Sequence, residues 1–456
     1  IASAAVARFA AAARPVGGGL MMPATHAVGG TPGSTPGVDS PAAAACPGRP
    51  LRLLVLSSDT FPPQRVDVSV LFGEELAARG HRIDWILQSE APCTQGYITS
   101  WGGGQVWVAP ADRGTSLLRR IRKHLAGIAH DAKLFRLLRG NRYDAVEVKD
   151  KFISALLAAI AARLYRKRFI YWLSYPFPEF YSLMARDARG VYRLLYRIRG
   201  ASFRFLLYRV VLRAADHVFV QSERMRRDVA ARGIPLRKLT AIPMGFRLRN
   251  LPPAAPATRS LIPAAARCVL YLGSLSKERH IDFLVRVFAL VRNRIVDAQL
   301  YLVGSAVDPE DQQALVREAT RLGVADSVVF VGQLPQEHAL RYVQEADVCV
   351  SPLYPTPIFE CASPTKVIEY MALGKAVVAN TQPEQRLLIE ASGCGYCVAY
   401  EEPAFAQAII QLLADPHMAQ EMGERGRRYA IENRGYGALA DLVEREMLRI
   451  VAGDGA

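Results

Sequence analysis

The chain has 456 residues, of which 51% are hydrophobic and 22% charged, and its formal net charge at pH 7 is +15. This length and hydrophobic content predict two globular domains with well-filled cores. No uncharged apolar run of about eighteen residues occurs, which argues against a transmembrane helix. Seven cysteines, an odd number, argue against a disulfide framework.

The first fifty residues differ in composition from the rest, because Ala, Gly and Pro dominate them and no apolar period is visible. We interpret residues 1–50 as a disordered leader. They contain no apolar core followed by a cleavage site, so a secretory signal is not expected. The cysteines are then thiols in a reducing cytosol, and Cys394 and Cys397, a lone C-x-x-C, do not predict zinc.

From residue 51 onward, short apolar runs alternate with helical stretches. The runs are 51–56, 83–87, 106–109, 145–148, 169–173 and 217–220 in the first half, and 268–272, 299–303, 328–331, 348–351 and 376–379 in the second. Apolar strands separated by helices predict parallel sheets that are buried on both faces. Two such series predict an α/β protein with two doubly wound, Rossmann-like domains that face each other across a cleft.

A Pro/Ala-rich stretch at 251–256 marks the boundary between the two series, so the domains are predicted at 51–248 and 249–435. Ligands of doubly wound sheets bind at the carboxyl ends of the strands. We therefore expect the functional site in the cleft, with residues of both domains around it.

The positive charge is concentrated in the first domain. Residues 51–250 hold 35 Lys and Arg against 16 Asp and Glu, a difference of +19. That excess predicts an anionic partner, which is a membrane surface, a nucleic acid or a phosphorylated acceptor. Eight arginines lie among aromatic residues at 186–213, which favours an anionic membrane surface. No recognised nucleic-acid-binding motif occurs, and a solvated basic face is the structural alternative.

The stretch 363–378 predicts a short helix followed by a buried strand. Ser363 suits the N-cap, Pro364 the first helical position and Gly374 the left-handed C-terminal position. The free N–H groups at a helix start attract phosphate. Lys366 in the first turn and Glu369 one turn further could then hold the phosphates and the ribose of a nucleotide. An ordinary capped helix is the alternative.

This stretch resembles the donor-binding motif of the retaining glycosyltransferases of family 4 (glycosyl transferases group 1), in which a helix ending in E-x-M-A-x-G-x-x-V-V follows the donor loop. The resemblance implies the GT-B fold over nearly all of residues 51–450, with a final helix within 436–456 that packs back on the first domain. It implies that Glu369 bonds the ribose. The family's second glutamate falls at Cys361, with Glu360 one residue earlier.

The loop that follows the run 268–272 resembles the family pattern G-R-L-x-x-x-K-G, whose two cations neutralise the donor diphosphate. Gly273 permits the tight turn, Ser274 takes the arginine position and Arg279 takes the lysine position. A guanidinium binds phosphate oxygens in pairs, so Arg279, helped by Lys277, is expected to stabilise the departing diphosphate. A solvated loop arginine is the alternative. No D-x-D motif ends a strand, so we expect transfer without metal.

These considerations predict three groups of site residues. The catalytic group is Arg279, Lys277 and Glu369. The donor-binding group, which includes the turn where the family places its nucleobase, is Gly273, Ser274, Gly332, Gln333, Glu360, Ser363, Pro364, Thr365 and Lys366. The acceptor or cleft group follows the strands of the first domain and comprises Arg65, Asp67, Lys149, Ser174 and Glu179.

The resemblance implies a glycosyltransferase that moves a sugar from a nucleoside-diphosphate sugar to a glycan or a lipid-linked saccharide, with retention, without metal and without a cofactor beyond the donor. The alternatives are a nucleotide-sugar epimerase of the same architecture and a non-catalytic basic module that binds membranes or nucleic acid. A cytoplasmic protein attached to the inner face of the cell membrane fits the first interpretation. The base, the sugar, the acceptor and the linkage stay open.

Overall fold

The computed structural model describes residues 49–91, 93–111, 117–140, 142–252 and 259–453. Almost all of the predicted leader and most of the Pro/Ala stretch therefore lie outside the described residues. Two sheets organise the described part of the chain, and helices cover both faces of each sheet. The prediction of an α/β protein with two doubly wound domains is confirmed.

The first sheet contains eight strands among the described residues. They are β1 (Arg52–Phe61), β2 (Arg82–Ser89), β3 (Tyr97–Trp101), β4 (Gly104–Ala109), β5 (Ala145–Lys149), β6 (Arg168–Leu173), β7 (His217–Val220) and β8 (Leu239–Ala241). Their order across the sheet is β3-β4-β2-β1-β5-β6-β7-β8. All neighbours are parallel except β3 and β4, which are antiparallel.

The second sheet is parallel and has six strands in the described region. They are β9 (Arg267–Leu272), β10 (Ala298–Val303), β11 (Val328–Gly332), β12 (Val348–Ser351), β13 (Ala376–Asn380) and β14 (Gly395–Val398). The order is β11-β10-β9-β12-β13-β14. The strand order reverses beside β9, and this is the switch point where doubly wound sheets bind ligands.

The α-helices lie between the strands and at the end of the chain. They are α1 (Val66–Ser69), α2 (Leu117–Asp131), α3 (Lys133–Arg139), α4 (Phe152–Leu164), α5 (Phe177–Asp187), α6 (Gly190–Phe205), α7 (Leu212–Ala214), α8 (Glu223–Ala230), α9 (Asp282–Arg292), α10 (Pro309–Arg321), α11 (Gln336–Glu345), α12 (Pro357–Glu360), α13 (Thr365–Ala372), α14 (Pro383–Ser392), α15 (Glu402–Ala414), α16 (Pro416–Arg434) and α17 (Tyr436–Ala452). Two π-helical segments, Leu71–Leu76 and Leu206–Val211, continue α1 and α6, and short 3₁₀ turns occupy Leu236–Lys238, Leu248–Asn250, Lys277–Arg279 and Ala325–Ser327.

The apolar strands form because each sheet is buried on both faces. Along β1, Leu54 and Leu56 enter the core under α4, whereas Leu53 and Val55 enter the core on the opposite face. Successive side chains of a strand point to opposite faces, so a strand between two cores must be apolar throughout. This is why the apolar runs located most strands within a few residues.

The last helix, α17, packs against the first sheet. Its buried side chains, among them Leu439, Val443 and Met447, belong to the same core as β1 and β2. His81 Nε2 lies 2.9 Å from a carboxylate oxygen of Glu444, while its Nδ1 accepts a hydrogen bond from the Leu51 amide at 3.0 Å. The chain thus returns from the second domain to the first.

Two further observations bear on the sequence-based expectations. Among the described residues, none of the helices is both long and apolar enough to cross a bilayer. Cys394 is buried and Cys397 half-buried, and both are free thiols.

Candidate active site

The carboxyl ends of β9 and β10 form a floor without side chains. Gly273 has φ of 150° and Gly304 has φ of 139°, values that disfavour any residue with a Cβ. A Cβ on Gly304 would collide with the carbonyl of Gly273, and one on Gly273 would collide with Nζ of Lys366. The two glycines therefore let the neighbouring strands and the start of α13 approach one another.

Lys366 lies above this floor in the first turn of α13. Its Nζ donates a hydrogen bond to the Tyr271 hydroxyl at 2.8 Å and lies 4.3 Å from the centroid of that ring. Burial holds the pKa of Lys366 well below its ordinary value, and the charge of Arg279 acts in the same direction, while Glu369 opposes both. The ammonium group is thus destabilised in the ligand-free protein.

Arg279 ends the 3₁₀ turn that follows Gly273. Its guanidinium carbon lies 5.1 Å from the centroid of the Phe359 ring, and its Nε is buried without a hydrogen-bond partner among the described residues. Burial lowers the pKa of Arg279, against opposition from Tyr271 and Glu278. Arg279 as a whole is half-buried, and its Nε is an unused donor that is shielded from water.

The next residue fixes the orientation of this turn. His280 adopts a left-handed conformation with φ of 50°, and its ring stacks on Tyr354 with 3.9 Å between the centroids. It occupies the position of the last glycine in the family pattern G-R-L-x-x-x-K-G. A left-handed backbone explains the glycine in that pattern, because glycine adopts it without strain.

Glu369 lies one helical turn beyond Lys366 on α13. Its carboxylate is 3.3 Å from Nε2 of Gln336. Burial raises the pKa of Glu369 to about 7, although Gln336 and Lys366 favour its charged form. Because Lys366 interacts electrostatically with both Arg279 and Glu369, the structure brings the guanidinium, the ammonium and the acid together beside β9.

The first domain contributes a second charged cluster. Arg65 donates to both carboxylate oxygens of Asp67, at 3.0 and 2.8 Å, and the ammonium of Lys149 donates to the same carboxylate. Burial alone would raise the pKa of Asp67, but the two cations outweigh burial and hold it below its usual range. This cluster satisfies its charges internally.

Tyr436, the first residue of α17, lies between the two clusters. Burial raises the pKa of its hydroxyl, and both Asp67 of the first domain and Glu369 of the second contribute to the rise. Tyr436 therefore lies within electrostatic range of an acid from each domain.

Family models match both halves of the chain. A model described as glycosyl transferases group 1 matches residues 266–415, and a model of the glycosyl transferase 4-like domain matches residues 70–245. The chain belongs to the group 1 glycosyltransferases. The first match contains the glycine floor and the Arg279–Lys366–Glu369 cluster, and the second contains Lys149.

Curated relatives of this group 1 chain match it over part of their length. A GDP-mannose-dependent α-(1-6)-phosphatidylinositol monomannoside mannosyltransferase of Mycolicibacterium smegmatis is 30% identical over 168 residues, which is 36% of this chain and 43% of that protein. D-inositol 3-phosphate glycosyltransferase 2 of Catenulispora acidiphila is 28% identical over 176 residues, 37% of this chain and 40% of the relative. The chain thus spans less than half the length of these relatives.

Solved structures match over most of the chain. A sucrose-phosphate synthase of Thermosynechococcus elongatus superposes with a TM-score of 0.65 at 22% identity and covers 88% of this chain and 99% of its own. Anabaena HepE, solved in complex with UDP and glucose, gives 0.58 at 15% identity, with 87% and 99% covered. These similarities show the GT-B fold.

One prediction about the donor helix is wrong. Ser363 does not cap α13, which begins at Thr365 with Pro364 in the N-cap position. The Ser363 hydroxyl instead accepts a hydrogen bond from the Met244 amide at 2.9 Å, a contact with the end of the first domain. At the other end of the helix Gly374 has φ of 70°, as predicted. A tertiary contact therefore overrides the local capping signal.

The remaining donor-side residues have varied surroundings. Lys277 is exposed, and its backbone N–H donates to Asp311 at 2.9 Å. The hydroxyl of Ser274 lies 2.8 Å from that of Ser276. The group predicted as catalytic is therefore not uniform, because Arg279 is sheltered while Lys277 is on the surface.

The turn predicted near the nucleobase lies beside the glycine floor. Gly332 has φ of 85°, and its carbonyl accepts a hydrogen bond from the Gly304 amide at 2.9 Å. The side-chain oxygen of Gln333 accepts a hydrogen bond from Ser305 at 3.1 Å. The ends of β9, β10 and β11 thus form one continuous rim.

Glu360 contacts the other domain. It forms an ion pair with Arg224 at 3.0 Å, and both side chains are more than one-third exposed. Next to it, the carbonyl of Cys361 accepts a hydrogen bond from Ser222 at 2.8 Å. The structure thus gives Glu360 a position on the line where the domains meet.

The last two predicted cleft residues are already hydrogen-bonded. Ser174 donates its amide to Asp150 at 2.9 Å, and its hydroxyl bonds the same carboxylate. Glu179 pairs with Arg232 at 2.6 Å and accepts a hydrogen bond from Tyr208 at 3.3 Å. These contacts give both residues structural partners within the first domain.

Sequence reasoning missed three residues around the cluster: Tyr271, Gln336 and Tyr436. Tyr271 lies in an apolar strand run, where a tyrosine is expected to be a core residue. Tyr436 begins the last helix, for which the sequence predicted only packing on the first domain. Gln336 carries no motif. Nothing in the spacing of the sequence could have linked these positions to Lys366 or Glu369.

Proposed function

We propose that this protein transfers a sugar from a nucleoside-diphosphate sugar to a glycan or a lipid-linked saccharide, and that its second domain holds the donor. One observation carries the proposal. Arg279 and Lys366 are adjacent cations whose pKa values burial lowers, and neither forms a salt bridge among the described residues. A ligand that brings two negative charges to this place would relieve both, and a diphosphate does so.

In this proposal the diphosphate lies over the floor made by Gly273 and Gly304, against Arg279, Lys366 and the first amides of α13. Backbone N–H groups at a helix start bind phosphate oxygens, and glycines let them come close. Glu369 accepts the hydrogen bonds of the ribose hydroxyls. The rim beside it, which includes Gly332 and Gln333, receives the base.

The relatives support a nucleotide sugar as the donor without choosing its base. Structures of Anabaena HepE contain UDP and UDP-glucose, whereas the M. smegmatis relative is named for GDP-mannose. The residues that surround the diphosphate here, Arg279 and Lys366, recognise charge. They would accept either nucleotide.

The chemical step breaks the bond between the anomeric carbon and the diphosphate oxygen and forms a bond from that carbon to an acceptor hydroxyl oxygen, whose proton passes to the departing diphosphate or to solvent. Negative charge develops on the leaving group. Arg279 and Lys366 stabilise that charge from fixed positions, which costs no reorganisation during the reaction. We propose that they do so without a divalent ion. Full activity in the presence of a chelator is expected, whereas loss of activity that a divalent metal restores would contradict this part. Retention of configuration rests on the family resemblance alone.

The acceptor is proposed to lie against the first domain, near Arg65, Asp67 and Tyr436. The positive charge of residues 51–250 supports an acceptor that carries phosphate. The relatives named for a phosphatidylinositol mannoside and for inositol 3-phosphate point in the same direction.

A substitution at Glu369 tests the proposal. Glu369→Ala should lower kcat/KM about 10²-fold, because two hydrogen bonds to a bound ligand are lost. Glu337→Ala, which removes an exposed carboxylate of α11, is the matched control and should leave the rate unchanged. An unchanged rate in Glu369→Ala would place the donor elsewhere.

Thermal-shift measurements with UDP-, GDP- and ADP-sugars identify the donor, because a ligand that binds the folded state raises the melting temperature. Product analysis then separates transfer from epimerisation, which would release an altered sugar nucleotide in the absence of any acceptor. If the protein neither binds nor turns over any of these donors, the proposed transferase activity is contradicted and the non-catalytic binding module is the interpretation that is left.

A further inference from the structure

Helix α6 presents an apolar side to solvent. Val191, Leu194, Leu195, Ile198 and Phe205 are each more than half exposed. Side chains of an α-helix advance by about 100° per residue, which places these five on one side. The opposite side carries Gly200, which packs on Tyr181 of α5. Contiguous apolar patches of this kind mark interaction surfaces.

A basic hollow adjoins this apolar side. It has a volume of about 310 Å³, lies between α5 and α6, and is lined by Arg186, Arg193, Arg197 and Arg204, with no acidic residue among the side chains that the structure describes. Among the described side chains, none of these four arginines forms a salt bridge, and only Arg204 has a hydrogen-bond partner, Ser182 at 2.9 Å. Four guanidinium groups that have no salt bridge within the described part of the chain attract anions to this hollow.

We infer that α6 docks this protein on an anionic lipid bilayer. The apolar side enters the boundary between headgroups and acyl chains, and the arginines of the hollow bind lipid phosphates. An amphipathic helix with arginines along one flank of an apolar side has the features of an interfacial helix, and long arginine side chains reach the headgroups while their stems stay in apolar surroundings.

The exposed apolar side and the arginine hollow together favour a bilayer over other partners. A second copy of the chain, related by twofold symmetry, would bring like-charged arginine hollows close together, which is unfavourable. A nucleic acid would pair with the arginines but would leave the apolar side in water. An anionic bilayer satisfies both.

The position of the α5–α6 hairpin places the bilayer beside the cleft. The hairpin follows β6, and Phe180 and Tyr181 pack against Ile358 of α12 in the second domain. A lipid-linked acceptor held in the bilayer would thus lie next to the donor side. This last step rests on the proposed function, whereas the docking itself does not.

Vesicle flotation of the full chain tests the docking. Binding is expected to vesicles of phosphatidylglycerol and phosphatidylcholine and to weaken at least tenfold both with phosphatidylcholine alone and at high salt. Leu195→Glu combined with Ile198→Glu should lose at least tenfold in partitioning. Val296→Glu combined with Val307→Glu, which makes two changes of the same kind at exposed positions of the second domain, should not change it.

The arginines require their own variant. Arg193→Gln with Arg197→Gln should weaken binding to anionic vesicles at least tenfold, whereas Arg428→Gln, on the exposed surface of the second domain, should not. The docking is overturned by wild-type partitioning of either double variant, or by equal binding to neutral vesicles. It is also overturned if ultracentrifugation shows a dimer that Leu195→Glu with Ile198→Glu dissociates, in the absence of vesicle binding.

Donor binding in solution separates this inference from the proposed function. The double variants of α6 should keep the wild-type melting temperature and the wild-type thermal shift with the donor sugar nucleotide. A chain that floats with anionic vesicles but binds no sugar nucleotide would keep the docking and contradict the proposed function. A chain that binds the donor but does not float with anionic vesicles would support the proposed function and contradict the docking.

Discussion

The two sides of the cleft hold their charges in opposite ways. In the second domain, Arg279 and Lys366 are sheltered and form no salt bridge among the described residues, and burial lowers both pKa values. In the first domain, Arg65 and Lys149 share the carboxylate of Asp67. Uncompensated buried charge is costly in a free protein and useful once a counter-charge arrives, whereas paired charge mainly fixes a shape. The cations of the second domain are therefore better suited to receive an anion than the paired charges of the first.

The largest expected effect falls on the uncompensated side. Arg279→Ala should lower kcat/KM about 10³-fold, the size seen when one fixed donor to a developing negative charge is removed. Arg279→Lys should recover part of that loss, because the charge returns without the paired geometry. Arg294→Ala, at an exposed position of the same domain, is the control. Steady-state kinetics measure these changes in kcat/KM. A loss below tenfold in Arg279→Ala would show that Arg279 does not stabilise the leaving group.

The paired side should respond in stability instead. Lys149→Met breaks a buried ion pair and should lower the free energy of unfolding by about 3 kcal/mol. Adding Asp67→Asn should not restore the loss, because Asp67 is still bound by Arg65 when Lys149 is gone, and its neutralisation then weakens the pairing of Arg65 as well. Denaturant titration measures both changes. If Lys149→Met instead abolished donor binding at unchanged stability, the contrast between the two sides would be lost.

The pH dependence of donor binding should be intermediate in size. The pKa of Glu369 is about 7 in the free protein. Ribose hydroxyls donate to the ionised carboxylate, so binding lowers that pKa, and affinity should rise about tenfold between about pH 6 and pH 8. Phosphate binding raises the lowered pKa of Lys366, so this lysine contributes an opposing decrease in affinity as pH rises through its free value. Calorimetric titrations of Glu369→Gln should lack the rising limb; a rising limb in that variant would assign it to another group.

The smallest effect is expected at the line between the domains. Glu360→Gln removes a partly exposed ion pair with Arg224, which is worth less than about 1 kcal/mol. Melting temperature and donor affinity should both stay close to wild type. A drop in donor affinity beyond tenfold would instead mean that Glu360 contacts the donor in place of the family's glutamate, whose position is Cys361 in this chain.

Apolar runs predicted the strands well because both sheets are buried on two faces. The exceptions have a physical cause. β3 is an antiparallel edge strand whose residues are exposed or half-exposed, and β14 is half-buried throughout, so neither carries an apolar run. β8 has only three residues. Glu147 lies fully buried in β5 with no hydrogen-bond partner among the described residues. Its burial follows from the apolar residues on either side of it in the strand, and nothing about the glutamate itself predicts it.

The candidate site was predictable where local chemistry matches local geometry, as for Gly273, Lys366 and Glu369. It was not predictable where a residue distant in the sequence determines the contacts of a site residue. The Met244 amide donates a hydrogen bond to the hydroxyl of Ser363, and the carboxylate of Asp67 forms ion pairs with Arg65 and Lys149. Such contacts join residues far apart in the sequence, so local patterns of residue type give no signal for them.

The hydrogen bond between Ser363 and the Met244 amide has a mechanical consequence. It fastens the segment in front of α13 to the chain that leaves the first domain, so a swing of one domain away from the other must either snap this link or drag the helix start along. A single neutral hydrogen bond contributes about 1 kcal/mol. Thermal motion can break such a bond readily, and the position of the start of α13 would then depend on whether the two domains are apart or together.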